Sequence, residues 1–462
     1  MKRNKLIGIA AAVVIIAASF LIPAAESGAR AGVTAIAMAV ALLVIVLTKA
    51  IHPVTACVLC IVLMPLLGIT KGFSGALSGF ATRVPLFVIA SAAFAQAYAK
   101  IPLSRRILVM LLKSFGKSIK SMLLTMMLGA AILSSITSNM ATCAIFMAIA
   151  LSFLDLYHED GQRQRAGRAF MVGIPVATMI GGMITPVGSS LNVYAITMLE
   201  KLTGNSISFV QWLCAGIPLA IFALPVAWIL ILKIFAPREV DAGTMRSFLN
   251  SLAVPDEVSS QEKKVLVITG AMVILWIASS WIPALDIVMV SLLGACVFFL
   301  PGIRILDMKS FLRDMDWNPF FLAGTLMSLS GAMADAGIVN ALAGTLGHPH
   351  FAAVPAVAVC ALLTFVLLAL LPLAPVIMVI AAPLLCAFSA ACGLSPAVAV
   401  MTLGLCACNC YLLPKDAVTR LTYETENYTP ADMIRVTLPL QIWLVIIISL
   451  WVPVVAKICR FI

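Results

Sequence analysis

Long apolar stretches follow one another along almost the entire chain, separated by short polar segments. A transmembrane helix needs about 20 mostly apolar residues, so this pattern restricts the fold more than any other feature. Hydrophobic residues make up 63% of the 462 positions and charged residues 11%, whereas soluble domains are about half apolar and about a quarter charged. The sequence therefore predicts an all-α polytopic membrane protein surrounded by lipid, and it excludes a soluble enzyme or a nucleic-acid-binding domain.

The apolar stretches define the expected spans. Full or partial spans are predicted at 6–22, 33–48, 53–68, 84–99, 122–155, 169–200, 208–235, 265–283, 285–301, 319–338, 352–392, 395–425 and 437–457. Cytoplasmic loops carry an excess of Lys and Arg, and a cytoplasmic N-terminus puts most of the 30 basic residues on that side. We expect an integral protein of the plasma (inner) membrane whose C-terminus lies outside. The basic residues of the cytoplasmic loops account for the net positive charge, so no nucleic-acid partner is expected.

Two long stretches do not fit a simple crossing. Residues 122–155 have basic residues at both ends, so we predict a re-entrant hairpin that opens to the cytoplasm. Residues 352–392 are expected to form a counterpart that opens outward. The two halves of the chain would then cross the membrane in opposite senses, as inverted repeats do.

Each predicted hairpin is followed by a span that Gly and Pro interrupt, at 169–200 and at 395–425. Interrupted helices at matching places in inverted halves indicate a transporter binding site, because broken backbone at membrane depth is tolerated where it lines a cavity. The resulting domain division is an N-terminal helix (1–32), a first inverted repeat (33–236), a cytoplasmic linker (237–264) and a second inverted repeat (265–462).

The chemistry expected at such breaks suits two kinds of ion. Free N–H groups at the start of a half-helix attract an anion, and unwound carbonyls with Ser, Thr and Asn oxygens suit a hard cation such as sodium. Residues 133–142, at the predicted tip of the first hairpin, contain several hydroxyls and one amide. Isolated polar side chains of this kind often only bond neighbouring helices, but their clustering favours a functional site.

Short motifs resemble those of one transporter family. Ser138-Asn139, followed by Ala141-Thr142, resembles the Ser-Asn-Thr hairpin tip of the divalent anion:sodium symporter (DASS) family of the ion transporter superfamily. The stretch from Gly188 to Asn192 resembles that family's Gly-Ser-Pro-Pro-Asn motif. The order of segments agrees over nearly the whole chain. The resemblance implies a homodimer whose protomers each carry a fixed scaffold and a mobile transport domain, moving an anion with sodium by an elevator mechanism.

The resemblance also assigns residues to roles. It implies a sodium site formed by Ser134, Ser138, Asn139 and the backbone of Gly188, with carboxylate contacts from Ser138, Asn139 and Ser189. In the second half the matching substrate positions are Ala374, Pro375 and Ala417. Because the stretch 373–375 has no side-chain oxygen, one sodium site is expected and a second stays open.

Lys415 and Asp416 lie in the second interrupted span. A charge at membrane depth is costly and usually faces a cavity or a partner. One interpretation is that the two side chains stabilise each other near the cytoplasmic exit. The other is that the Lys415 ammonium replaces a second sodium ion or neutralises part of the anion, and a lysine in such a place also opens the way to proton coupling.

The leading hypothesis is a secondary active transporter of small anions, either carboxylates or oxyanions, coupled to sodium. The alternative is a sodium-independent or proton-coupled anion exchanger that uses Lys415. An intramembrane enzyme is a remote alternative, because none of the four His clusters with carboxylates at membrane depth as catalysis requires. A channel is disfavoured because a pore needs polar faces along several spans, whereas here the polar groups concentrate at the predicted hairpin tips and helix breaks.

Overall fold

The computed structural model describes residues 2–21, 27–157, 159–252, 257–346, 351–371 and 373–460. These ranges are predominantly helical and contain no β-strand, which confirms the all-α class. The helices are α1 (Lys2–Ser19), α2 (Ser27–Thr48), α3 (Pro53–Leu66), α4 (Gly72–Leu77), α5 (Arg83–Lys100), α6 (Leu103–Phe115), α7 (Ile119–Ser134), α8 (Asn139–Leu154), α9 (Asp160–Gly182), α10 (Ser190–Thr203), α11 (Phe209–Phe235), α12 (Ala242–Ser251), α13 (Ser260–Ala278), α14 (Ile287–Val297), α15 (Met308–Asp314), α16 (Asn318–Asp335), α17 (Ile338–Leu346), α18 (Ala353–Leu370), α19 (Ala374–Ala391), α20 (Pro396–Ala407), α21 (Ala417–Tyr423) and α22 (Pro430–Ile458).

Several helices are suited to cross a membrane. Within the described ranges, six helical segments are long and apolar enough to do so, and the pair α16 and α17, bent by 59°, adds a seventh if it is one span. The chain is therefore an integral membrane protein. Four helices, α4, α6, α12 and α15, lie in segments that the apolar pattern treats as connections. In α6, for example, Leu108 and Leu112 are buried while Arg105 and Lys113 are exposed, so an amphipathic helix escaped a search for apolar runs.

Helices α7 and α8 form an antiparallel hairpin around the tip at 135–138. At the tip, Ser134 Oγ donates a hydrogen bond to Asn139 Oδ1 at 2.5 Å, and further from the tip Gly129 lies against the ring of Phe146. Each helix has 16 residues and is ~24 Å long at ~1.5 Å per residue, less than the ~30 Å hydrocarbon core of a bilayer. That length suits a re-entrant course for 122–155, which stays a prediction.

Helices α18 and α19 are also antiparallel, because Phe351 before α18 lies 5.9 Å, between ring centroids, from Phe388 near the end of α19. Unlike α7 and α8, each of these helices is long and apolar enough to span alone. Both spans with Gly and Pro are broken in the structure. Residues 183–189 separate α9 from α10, and residues 408–416 separate α20 from α21.

The helices pack into two groups. The hairpin bundle comprises α7–α11 and α18–α22, in which α9 contacts both helices of the first hairpin and α20 contacts both helices of the second. The flanking bundle comprises α2–α5, α13, α14 and α16, with α16 packed against α2, α3 and α5. The bundles meet where α10 and α19 contact α16, and α10 also contacts α5. Any solute held between them is therefore touched by both groups.

A buried ion pair holds α6 against the start of α13. Arg106 Nε lies 2.9 Å from Glu262 Oε1, and the Glu262 side chain has no exposed surface. Glu262 also accepts a hydrogen bond from the backbone N–H of Ser259, which completes a capping box. The hydrogen bond from Arg106 lowers the pKa of Glu262. The stability that this lowered pKa contributes is therefore present at neutral pH and is lost as the pH falls through it.

We expect Glu262→Ala to lower the free energy of unfolding by about 2 kcal/mol, because Arg106 loses its partner and the capping box of α13 loses the hydrogen bond from the Ser259 N–H. Thermal unfolding in detergent at pH 7 measures the change. Asp314→Ala is the matched control, since it removes the exposed ion pair with Arg313 and such pairs contribute little. Equal stability of the two variants would contradict the role given to Glu262.

Candidate functional site

A cavity of about 470 Å³ lies between the hairpin bundle and the flanking bundle. The hairpin bundle lines it with residues from its interruptions, namely 136–140, 187–191, 373–375, 408 and 415–418. The flanking bundle contributes mainly apolar and aromatic side chains, among them Phe87, Phe94, Trp276 and Leu322. A small number of polar groups within a mostly apolar wall is typical of a binding site for a small molecule.

The structure brings together almost all the residues that the sequence assigned to a site. The cavity is lined by Ser138, Asn139, Gly188, Ser189, Ala374, Pro375, Lys415, Asp416 and Ala417. The exception is Ser134, which is fully buried and does not line the cavity. Ser134 lies behind Asn139 and donates a hydrogen bond of 2.5 Å to the Asn139 amide oxygen.

Three helices of the hairpin bundle with more than ten residues begin at this cavity. Helix α8 starts after Ser138, α10 after Ser189 and α19 after Leu373, and residues at all three starts line the cavity. The first N–H groups of a helix have no partner within it and carry partial positive charge. The Ser138 hydroxyl makes no capping hydrogen bond, so it is available to a ligand. The arrangement favours an anion.

Hydrogen bonds join the first hairpin tip to the α9–α10 break. Thr185 Oγ1 donates to the Ser135 carbonyl at 2.6 Å and accepts from the Gly188 N–H at 2.9 Å. Asn192 Nδ2 donates to the carbonyls of Gly182 and Thr185 at 2.8 and 2.7 Å. The unwound backbone is thus held in one shape without a regular helix. Asn192 ends the motif that begins at Gly188 and Thr185 precedes it, but neither residue was predicted from the sequence to have this role of holding the break.

Glycines allow α9 to approach the hairpin tip this closely. A Cβ on Gly181 would lie 2.2 Å from the Ala131 carbonyl oxygen, and one on Gly182 would lie 2.6 Å from Asn139 Oδ1. A Cβ on Gly188 would lie 2.7 Å from the Gly182 carbonyl oxygen. Any larger residue at Gly182 would therefore displace the Asn139 side chain.

Neutral oxygens cluster at the first hairpin tip. The Ser134 hydroxyl and the Asn139 amide oxygen lie 2.5 Å apart, on the side of the tip that packs against Gly182 of α9. Uncharged oxygen donors from side chains and backbone are what hard cations prefer. The tip of the second hairpin, at 373–375, has no side-chain oxygen, so the same donor set does not recur there.

Lys415 occupies the second-half side of the cavity and is exposed to it. No carboxylate in the described ranges lies within ion-pair distance of Lys415. Asp416 instead caps α21, where its Oδ1 accepts from the Val418 N–H at 2.9 Å. The mutual stabilisation of Lys415 and Asp416 considered above is therefore not formed, because capping engages the carboxylate. Lys415 is the one cationic side chain among the described residues of this cavity.

Comparisons with known proteins agree with this architecture. The sodium-dependent dicarboxylate transporter SdcS of Staphylococcus saprophyticus is 23% identical over 261 residues, 52% of this chain and 50% of that protein. The L-tartrate/succinate antiporter of Shigella sonnei is 27% identical over 292 residues, 60% of this chain and 58% of that protein. The chain thus spans little more than half the length of these relatives.

Among solved structures, MtrF of Neisseria gonorrhoeae, from a class of antimetabolite efflux pumps, has a TM-score of 0.59 at 12% identity, over 87% of this chain and 94% of that chain. At this identity the likeness concerns the fold alone. The family model for citrate transporters, CitMHS, matches residues 42–404. This match confirms the resemblance drawn from the motifs and removes the intramembrane enzyme from consideration. The chain belongs to the citrate transporter family of the ion transporter superfamily.

Proposed function

We propose that the protein is a secondary active transporter that carries a small di- or tricarboxylate across the plasma membrane together with one sodium ion. The observation that carries this proposal is the convergence of the N-termini of α8, α10 and α19 and of Lys415 on one cavity between the two bundles. Helix N-termini and an ammonium group both stabilise carboxylates. The family description names citrate, and the relatives named above are a sodium-dependent dicarboxylate transporter and an L-tartrate/succinate antiporter.

The two halves of the cavity have different parts in this proposal. Ser138, Asn139 and Ser189 bind one carboxylate at the starts of α8 and α10, where hydroxyl and amide donors line the cavity. Lys415, from the second half of the chain, binds a second carboxylate through a charge-assisted hydrogen bond. Ala374, Pro375 and Ala417 give the second-half side of the cavity its shape without adding side-chain donors.

Asn139 links the cation to the anion. Its side chain carries an oxygen acceptor and an amide donor group. The oxygen lies on the side of Ser134, at 2.5 Å from its hydroxyl. A sodium ion at that oxygen fixes the orientation of the amide and thereby presents Nδ2 to the carboxylate. Sodium binding then raises the affinity for the anion, and the anion raises the affinity for sodium by the same factor.

Sodium-independent exchange is the second candidate, and Lys415 is the observation that favours it. A lysine side chain stands where a second cation site would otherwise be expected. In an empty cavity it has no ion-pair partner among the described residues, which disfavours movement without an anion. One of the relatives is an antiporter.

Movement of the hairpin bundle against the flanking bundle would deliver the anion to the other side, as in the elevator mechanism that the resemblance implies. Charged contacts now join the bundles at one edge. Arg83 of α5 bonds Glu200 of α10 at 2.5 Å and Asp286 at 3.0 Å, and Lys201 Nζ donates to the Met327 carbonyl at 2.9 Å. A cytoplasmic N-terminus, as the sequence predicts, puts Lys201 on the outer side, so these contacts suit a state closed outward.

The first prediction of the transport proposal concerns Asn139. We expect Asn139→Ala to abolish both carboxylate uptake and its sodium dependence, because one amide serves both ions. Ser134→Ala, which alters the cation side, should raise the sodium concentration for half-maximal uptake about tenfold, equivalent to ~1.4 kcal/mol. Uptake of labelled citrate and succinate into proteoliposomes, under separate sodium, potassium and pH gradients, measures these effects. Ser152→Ala, at an exposed position on α8, is the control, and full sodium-dependent uptake by Asn139→Ala would refute the shared role.

A second prediction concerns Lys415. We expect Lys415→Met to weaken the binding of succinate about tenfold while binding of the monocarboxylate propionate changes little, because only the dicarboxylate reaches both the first hairpin tip and Lys415. Competition with labelled succinate in the same proteoliposomes compares the two anions. Lys113→Met, on the exposed side of α6, is the control. Unchanged succinate affinity and unchanged dependence on sodium and pH would remove Lys415 from both candidate functions.

A third prediction tests the relative movement of the bundles. Cysteines replace Arg83 and Glu200 in a variant that lacks the native cysteines, and a short bifunctional thiol reagent joins them. We expect the cross-link to stop uptake, because it ties α5 to α10. A cross-link between positions 98 and 269, whose side chains hydrogen-bond within the flanking bundle at 2.8 Å, should leave uptake intact. Uptake that survives the first cross-link would argue against an elevator.

A further inference from the structure

A second and wider cavity, of about 790 Å³, opens beside the candidate site. Its described lining residues include five basic side chains and no carboxylate. The basic side chains are Lys5, Lys49, His52, Lys415 and Arg420. We call this space the basic vestibule. Clefts lined by one sign of charge focus the electric field and raise the local concentration of ions of opposite charge.

Close packing of α1 against α2 builds one wall of the vestibule. A Cβ on Gly8 would lie 2.3 Å from Thr48 Oγ1, so glycine lets the first turns of α1 lie against the end of α2. Lys5 is close to Gly8 and Lys49 follows Thr48 in the sequence. Both lysines therefore line the basic vestibule. Both side chains are exposed. No carboxylate among the described residues lies within ion-pair distance of either one.

Arg420, which belongs to α21, lines another part of the vestibule. Its Nε lies 3.4 Å from Glu424 Oε1, and both side chains are more than half exposed. Exposed pairs of this kind are weak, and Glu424 does not line the vestibule. The guanidinium therefore still contributes positive charge to the space.

The vestibule and the candidate site communicate. Val46, Pro53, Leu373 and Lys415 line both cavities, so an anion leaving the vestibule for the inner cavity passes Lys415. With the N-terminus in the cytoplasm, as the sequence predicts, Lys5, Lys49 and Arg420 are expected on the cytoplasmic side. The inner cavity has one cation and one carboxylate among its described residues, whereas the vestibule has an excess of positive charge.

We propose that the basic vestibule is a second binding site, which takes soluble multivalent anions such as citrate at the cytoplasmic mouth and hands them past Lys415 to the inner cavity. Binding in the vestibule follows from its own charges, while the transfer step rests on the proposed transport function. An anionic lipid headgroup is also negatively charged and would fit the same basic side chains. The experiments below therefore distinguish a soluble anion from a lipid.

The binding test uses the full chain in neutral detergent with the citrate trianion as the probe. Asn139→Ala disables the inner cavity, and in this background we expect citrate still to bind, with an affinity that falls as salt rises. Adding Lys5→Gln, Lys49→Gln and Arg420→Gln should weaken that binding at least about tenfold. The matched control neutralises three exposed lysines outside both cavities, Lys113, Lys117 and Lys120, and should keep it. Equal citrate affinity in the two triple variants would overturn the proposal.

Lys49→Gln alone is a second variant, because a single exposed substitution disturbs folding least. It should also weaken citrate binding.

Reconstitution into liposomes distinguishes a bound lipid from a bound soluble anion. Citrate binding in the Asn139→Ala background should be the same in neutral liposomes and in liposomes that contain phosphatidylglycerol. Loss of citrate binding when phosphatidylglycerol is added would assign the site to lipid and overturn the soluble-anion proposal.

Failure of the vestibule and failure of the transport function give different results. If the protein moves no carboxylate but the vestibule variant still loses citrate binding relative to its control, the second site stands without the transfer step. If uptake is normal and the vestibule variant binds citrate as its control does, the transport proposal stands and the second site falls. In orientation-resolved uptake, we expect the vestibule variant to raise the half-saturating citrate concentration at the cytoplasmic face at low salt and to leave the outer face unchanged.

Discussion

Everything at the candidate site depends on satisfying broken backbone far from bulk water. Unpaired N–H and C=O groups at membrane depth are costly unless protein or a water-filled cavity provides partners. In the first half, side chains supply the partners, since Thr185 and Asn192 bond four backbone groups around the break. The N–H groups that remain at the starts of α8 and α10 face the cavity, and this leftover positive potential is what makes the site suited to an anion.

The two halves satisfy the same requirement with different chemistry. The first half uses glycines, hydroxyls and amides packed so closely that Gly182 touches Asn139. The second half uses an apolar tip at 373–375, a capping carboxylate at Asp416 and an exposed ammonium at Lys415. A neutral oxygen cluster can hold a cation that comes and goes, whereas the amino group of a lysine is attached to the chain and stays in the site. This asymmetry is the physical reason why one coupling ion, or none, is a natural expectation for this chain.

The sequence predicted the parts of the fold that depend on local pattern. Apolar stretches located most spans, and Gly and Pro marked both breaks, because these signals lie within one segment. Amphipathic α6 was missed since its apolar face is only a stripe, and the pairing of Thr185 with Ser135 could not be foreseen because the residues are 50 positions apart. The separation of Lys415 from Asp416 also needed coordinates, since neighbouring opposite charges suggest a pair until a helix cap engages one of them. The basic vestibule brings together Lys5 of α1, Lys49 just after α2 and Arg420 of α21, which no local motif reveals.

In the transport function proposed above, one anion lies between the first hairpin tip and Lys415, with a cation behind Asn139. The most direct measurement is an experimental structure of the protein with citrate and sodium bound. The account predicts a carboxylate against Ser138 and Ser189, a second carboxylate at Lys415, and a spherical density coordinated by Ser134 and Asn139. Citrate bound elsewhere, with these side chains turned away from it, would contradict the account.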